Sequence, residues 1–335
     1  MAQKTLADIP YSVLDLVPIT EGSTIAQCIA NSQELAKAVE RFGYYRYWLA
    51  EHHNMDSVAS SATAVLIGHM AGATKHMRIG SGGIMLPNHS PLIVAEQFGT
   101  LATIYPDRID LGLGRAPGTD QATARALRGY NIDAAVHSFP NDVVALQRYF
   151  SSDNSTSPVR AIPGEGVNVP LWILGSSTDS AYLAARLGLP YAFATHFAPT
   201  HFEAAVEIYR SNFIPSQQLD APYVLACVNA VVADTNEEAD FLKTSFYQLA
   251  ASIVTGRRRP LPPPIHDLDS FWSPQVKAAV MQMGYYSFTG NVETVKQKLS
   301  AFQEQYQLDE LMFVSHIFDP QAKIHSYELL QQTKH

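Results

Sequence analysis

Residues 170–195 read PLWILGSSTDSAYLAARLGLPYAFAT. Pro170 to Gly175 is a short apolar run ending on glycine, the pattern of a buried strand. Three small hydroxyl residues follow, then an alanine- and leucine-rich stretch from Asp179 to Gly188 with helical spacing. Tyr191 to Thr195 is apolar and aromatic again, a second strand. Two strands joined through a helix of this length run parallel, because a tight hairpin cannot connect them.

The same rhythm extends in both directions. Upstream, the predicted strands are Val13–Val17, Tyr44–Ala50, Arg78–Leu86 and Arg108–Gly114. Downstream they are Tyr223–Ala233 and Glu310–Ser315. Helices are predicted at Thr24–Phe42, with Gly43 at its C-cap, at Ser61–Thr74, with Ala62, Val65, Leu66, His69 and Met70 on one face, and from the cap Ser90-Pro91 to Tyr105. Others cover Thr200–Phe213, Glu237 to about Ser252, and Gln321–Gln332. Eight strands, each followed by helix, predict an α/β fold: a closed (β/α)8 barrel, with residues 1–335 as a single domain. Two intervals break the rhythm. Ala116 to Val169 is an insertion after strand 4, with a helix near Asn141–Phe150. Gly256 to Ser273 is an insertion before strand 8 and carries Pro260, Pro262, Pro263 and Pro264. Both can overhang the barrel mouth, and the proline-rich one reads equally as a plain surface insertion.

Bulk properties narrow the partners. With 47% apolar and 16% charged residues the chain is globular, not extended and disordered. A formal net charge of −8 excludes the basic stripe of a nucleic-acid binder. The one basic cluster, Arg257-Arg258-Arg259, is short and runs into proline. Two cysteines make no disulfide framework and suit a reducing compartment. Met1 to Pro10 has no signal-peptide core, and no run reaches the ~18 apolar residues of a membrane span. The expectation is a cytoplasmic protein with no membrane partner.

In a barrel, chemistry sits at the C-terminal ends of the strands. Strand two ends in Glu51-His52-His53. Imidazole handles protons near neutral pH, or the pair only hydrogen-bonds a loop. It also ligates metals, but His89 and His196 are the only further candidates and no HxH or HExxH spacing supports them, so no metal is expected. Strand three contains Gly80-Ser81-Gly82-Gly83, which fits either a flat ligand against backbone or a bulge that shapes the barrel. Strand four ends in Gly114-Arg115, whose guanidinium suits phosphate, or a salt bridge to a neighbouring carboxylate. Strand five ends in Gly175-Ser176-Ser177-Thr178-Asp179-Ser180, small residues opening a helix, an anion site or a simple cap. Together Arg115 and this helix start make a phosphate cradle. No lysine ends any of the eight strands, which counts against pyridoxal phosphate. The residues alone leave the phosphorylated ligand open.

These segments resemble the bacterial luciferase-like flavin monooxygenases, and within them the YhbW-like subgroup. The resemblance spans nearly the whole chain. It is carried by YWLAEHHN (47–54), GSGGIMLPNHSP (80–91), AEQFGTL (95–101), DRIDLGLGRAPG (107–118), LGSS (174–177) and LGLPYAF (187–193). It implies a (β/α)8 barrel, FMN used in its reduced form as co-substrate with O2, a small organic substrate, and a separate, transient NAD(P)H:flavin reductase. It further implies a homodimer. His52, with His53 beside it, matches the proton-handling position. Gly82-Gly83 matches a non-proline cis peptide under the flavin. Arg115, Gly175, Ser176, Ser177 and Ser180 match the phosphate site, and the proline loop lies near a mobile lid. Gly114 stands where the light-emitting catalytic subunits have a reactive cysteine, and Ser176 where they have glutamate, so light emission is not implied. Two alternatives stay open: a non-catalytic flavin-binding partner protein, and a flavin- or deazaflavin-dependent hydride-transfer oxidoreductase.

Overall fold

The structure is a computed structural model that describes residues 3–129, 132–257 and 259–335. Arg258, the middle of the basic cluster, lies outside the described residues.

The helices start and stop where local chemistry directs. α1 (Ile25–Arg41) opens on a capping box: Thr24 Oγ1 accepts from the Gln27 N–H at 3.3 Å, and Gln27 Oε1 accepts from the Thr24 N–H at 3.0 Å. It buries Cys28, Ser32, Leu35, Ala36 and Val39, an i, i+4, i+7 stripe, and leaves Ile25 exposed. Gly43 follows at φ +85°, a conformation that costs glycine little.

The strands are β1 (Tyr11–Asp15), β2 (Arg46–Leu49), β3 (Arg78–Met85), β4 (Ile109–Gly114), β5 (Leu171–Gly175), β6 (Tyr191–Phe193), β7 (Val224–Val232), β8 (Ser287–Gly290) and β9 (Glu310–Val314). β1 to β7 pair in chain order, β7 pairs with β9, and β9 pairs with β1, all parallel. That closes an eight-stranded parallel barrel, as the strand–helix rhythm predicts. Around it lie α2 (Thr63–Ala73), α3 (Pro91–Ile104), α4 (Gln121–Arg128), α5 (Ile132–Phe150), α6 (Thr178–Leu187), α7 (Phe202–Asn212), α8 (Asn236–Val254), α9 (Pro274–Met283), α10 (Val292–Tyr306) and α11 (Pro320–Gln332).

Three local expectations need correction. β8 is a ninth strand, outside the barrel, paired with the distal part of β7 from Asn229 to Val232. α5 starts at Ile132 and runs through Pro140, not from Asn141. α2 buries Leu66, Ile67, Met70 and Ala71 and leaves Val65 72% exposed. α2 is apolar on most sides, so periodicity cannot choose its buried face.

The barrel interior is filled in layers. At the N-terminal end of the strands, Arg46 binds Asp110 and Glu310, each at 2.7 Å, with all three buried. Above them Leu14, Trp48, Trp172, Leu225, Cys227 and Met312 form one apolar cluster. Trp48 meets Trp172 edge-on at 5.1 Å. The inward glycines of β3 leave room for this indole: a Cβ on Gly82 would lie 2.7 Å from Leu14 and 3.1 Å from Trp48. The Gly82–Gly83 bond is cis, and the β3–β4 register shifts between Ser81 and Ile84. The glycine run therefore both makes a bulge and shapes the upper wall.

The proline loop is fastened at several points. Leu261 N–H donates to the Ile19 carbonyl at 2.8 Å, and Glu21 N–H to the Leu261 carbonyl at 2.9 Å. Arg259 pairs with Glu21 at 2.6 Å, and Gln248 Nε2 donates to the Pro263 carbonyl at 2.8 Å. It crosses from α8 to the loop after β1, beside the barrel mouth.

Candidate active site

Glu51, His52 and His53 leave the end of β2 on different errands. Glu51 is 1% exposed and collects donors: His53 Nε2 at 2.8 Å, His89 Nε2 at 2.9 and 3.0 Å, the Met85 N–H at 3.0 Å and Asn88 Nδ2 at 3.3 Å. Burial pushes this carboxyl up, but the contacts from His89, His53 and Met85 outweigh it, so it sits below the ordinary carboxylate range. Glu51 is thus an anchor that ties the segment after β3 to β2. His53 is spent on that anchor.

His52 faces the other way. Its Nδ1 lies 3.2 Å from the Gly118 carbonyl, so Nδ1 carries the proton and donates. Its backbone N–H donates to the Ser60 carbonyl at 3.0 Å. Nε2 keeps its lone pair. Burial lowers the His52 pKa below the ordinary imidazole value, against the opposing pull of Gly118 and Glu51. The ring is a neutral base at neutral pH.

Arg115 follows β4 and reaches α6. Its Nη1 and Nη2 lie 3.3 Å from Asp179 Oδ2, with Arg115 44% and Asp179 68% exposed. An exposed pair like this contributes little and opens readily. The start of α6 has no side-chain cap, and among the described residues the hydroxyls of Ser176 and Ser177 have no hydrogen-bond partner. Ser180 is occupied: its Oγ donates to the Ser177 carbonyl at 2.7 Å and lies 2.9 Å from the Tyr191 hydroxyl. Gly175 allows this, since a Cβ there would sit 1.9 Å from Ser180 Oγ. The structure therefore brings together one loosely held cation, free helix-start N–H groups and two idle hydroxyls, a donor set that suits a phosphate dianion.

The strand-end reading missed two residues of the mouth. His196 follows β6 and was weighed only as a metal ligand; His316 follows β9 and was not singled out. Both are buried. Burial, aided by the nearby His316 and His52, pushes His196 down to about 3, and burial, aided by Lys323, pushes His316 down to about 4. Among the described residues no cluster of three or more His, Cys, Asp or Glu is arranged to hold a metal.

Two neutral buried imidazoles make stability depend on pH. Their folded pKa values are depressed, so the unfolded chain binds protons first as pH falls, and stability present at pH 7 is lost below the ordinary imidazole range. Each contributes a loss of roughly 2 kcal/mol by pH 5. The expected result is a urea midpoint lower at pH 5 than at pH 7, with the difference reduced in a His316→Gln variant. Equal slopes in both proteins would contradict neutral burial.

Comparison with known proteins comes to the same place. A family model described as luciferase-like monooxygenase matches residues 11–306. An uncharacterised Bacillus subtilis protein, YvbT, is 53% identical over 98% of each chain. An Escherichia coli protein named luciferase-like monooxygenase is 49% identical over 100% of this chain and 98% of its own. The N-acetyl-S-alkylcysteine monooxygenase of B. subtilis is 35% identical over 75% of each. Among solved structures, apo-MsnO8 superposes with a TM-score of 0.86 at 33% identity, covering 97% of this chain and 98% of that one. Two structures share the fold at low identity. The oxygenating constituent of the Pseudomonas putida 3,6-diketocamphane monooxygenase, in complex with FMN, has a TM-score of 0.70 at 16% identity and covers 97% of each chain. An F420-dependent secondary alcohol dehydrogenase has a TM-score of 0.65 at 14%, covering 98% of this chain and 99% of that one.

Proposed function

The chain belongs to the luciferase-like monooxygenases, and on that premise we propose that it is an FMN-dependent oxygenase that takes reduced flavin from a separate NAD(P)H:flavin reductase and oxygenates a small organic molecule with O2. The single observation that carries the cofactor is the pairing of Arg115 with the uncapped start of α6. A cation released easily from Asp179, helix-start N–H groups and the hydroxyls of Ser176 and Ser177 fit a phosphate. Gly175 and Ser180 set the backbone of that loop. Gly82 and Gly83 keep one wall of the mouth free of side chains. Relatives named monooxygenases stand at 49% and 35% identity, whereas the F420 enzyme shares only the fold. This favours oxygen chemistry over hydride transfer, and His52, whose Nε2 has no hydrogen-bond partner among the described residues, favours a catalyst over a silent partner.

Bound FMN, once reduced, supplies the electrons that activate O2. The chain's own part is to hold and to shield. Arg115 and the α6 start anchor the phosphate. His52 Nε2 accepts and returns a proton while Nδ1 stays bonded to Gly118. Leu16 and Leu174, packed on the interior cluster, keep the mouth apolar and limit water. We read residues 1–335 as one domain, working in the cytoplasm as a homodimer through the early helices. Exposed Val65 on α2, with Ile93 and Ile104 on α3, supports that face. Among the described residues no helix is long and apolar enough to cross a membrane.

Titration of FMN into the purified protein tests the reading. The Arg115→Ala/Ser177→Ala double variant is expected to bind about ten- to a hundredfold more weakly than wild type. Equal binding by both, or no binding by wild type in either redox form, overturns the cofactor assignment. S-alkylated N-acetylcysteines are the first substrates to try, given the relative named for them.

A further inference from the structure

β9 lies opposite β4 around the barrel, so the face bounded by β7, β8 and β9 is across the mouth from Arg115. A recess opens there. It is lined by Asn229 of β7, Ser287 and Thr289 of β8, Lys243 and Phe246 of α8, and His316. Asn229 Oδ1, Ser287 Oγ and Thr289 Oγ1 are buried without a partner, in residues as enclosed as Asn229 (5% exposed) and Thr289 (6%). Native proteins leave few such atoms, because an unpaired buried polar group costs stability. Three around one recess, next to a lysine, suit a small polar group.

Lys243 supplies the sign of that ligand. Among the described residues its ammonium has no carboxylate within ion-pair distance. It lies 4.9 Å from the centre of the Tyr247 ring. Burial pulls its pKa below the ordinary lysine value, and the acid that opposes this, Asp240, acts only at a distance. Water can satisfy a hydroxyl, but it does not neutralise a desolvated cation. Two hydroxyl donors and an ammonium match the acceptor-only oxygens of a carboxylate. Asn229 is oriented by its Nδ2, which donates to the His196 carbonyl at 2.6 Å. Its Oδ1 is therefore an acceptor in the recess, available to the ammonium or to an N–H of the ligand. Asn229 touches His196, and His316, stacked on Phe246 at 5.5 Å, forms part of the lining. The recess is thus continuous with the histidines of the mouth.

We propose that this recess is the subsite for a carboxylate carried by the organic substrate, held by the Lys243 ammonium and the Ser287 and Thr289 hydroxyls. The word substrate rests on the oxygenase reading above; the acid site itself does not. The substrate is then an organic acid whose reacting end points back across the mouth, toward the face where Arg115 and His52 lie.

Hexanoate and its neutral counterpart hexanamide serve as probes, titrated calorimetrically into the full chain. Wild type is expected to bind hexanoate about tenfold or more tighter than hexanamide, the effect of one charge-assisted contact. Lys243→Met should abolish that preference, and Thr289→Val should narrow it about threefold, with FMN affinity unchanged in both. Absence of a preference in wild type, or its survival in Lys243→Met, overturns the proposal. If Lys243→Met melts well below wild type, Thr289→Val decides, and an unchanged preference there overturns it as well. A chain that prefers hexanoate but ignores FMN sinks the oxygenase reading and leaves the acid subsite standing. One that binds FMN without any preference for hexanoate does the reverse.

Discussion

Replacing His52 by asparagine is expected to lower turnover about 10²- to 10⁴-fold, the usual weight of a positioned acid–base group, while FMN affinity stays within about threefold. Asparagine is the informative choice. Its amide N–H can stand in for Nδ1–H and keep the bond to the Gly118 carbonyl, but nothing replaces Nε2. A loss in this variant therefore reports the free nitrogen and not a collapsed loop. The assay supplies reduced FMN through an NADH:FMN reductase and follows oxidation of an S-alkylated N-acetylcysteine. A KM that holds while kcat falls is the expected signature. His53→Asn should cost less, since His53 is bonded to Glu51. Wild-type turnover should also fall in acid, once pH drops through the depressed His52 pKa and the base becomes charged. Equal rates in His52→Asn and wild type would remove the base from the mechanism.

The barrel was legible because the strands are short apolar runs, several of them stopped by glycine or a hydroxyl, and several helices carry their own punctuation, such as Thr24 with Gln27, or Gly188 in the left-handed conformation after α6. The site was legible in part for the same reason: strand ends are readable, and they are where chemistry sits in this fold. What failed needed partners distant in sequence. Ser287-Phe288-Thr289-Gly290 has one large apolar residue and becomes a strand only because β7 is long enough to receive it. Glu51 looks like a third reactive group beside two histidines until His89 and the Met85 N–H arrive to occupy it. Lys243 lies inside α8 among ordinary helix formers, and only burial distinguishes it. His316 is a different case. It directly follows the last predicted strand, so the rule that found His52 reaches it too.

The second large effect lies at the closed end of the barrel. Arg46→Met is expected to destabilise the protein by about 3–5 kcal/mol, because it strands buried carboxylates without removing them. Arg46 bonds Asp110 through Nη1 and Glu310 through Nε, both at 2.7 Å, and its guanidinium packs 4.7 Å from the Trp172 ring. Asp110 keeps a second cation, Arg78 at 2.6 Å, and the Trp48 indole N–H at 3.1 Å. Burial raises the Asp110 carboxyl and the two arginines pull it back further, leaving it below its usual range. Among the described residues Glu310 then keeps only neutral donors, the hydroxyls of Ser12 and of Tyr223, the latter at 2.8 Å. The variant therefore hurts mainly through Glu310. Pairing it with Glu310→Met removes the stranded charge, and the double variant should regain more than half of the loss. Denaturant midpoints of the wild type, both single variants and the double variant give the coupling directly. Additive losses would mean that the two groups do not hold each other. Strong coupling with FMN binding intact at low temperature would place this network in stability and not in the site. That division suits a barrel whose chemistry is confined to the opposite face.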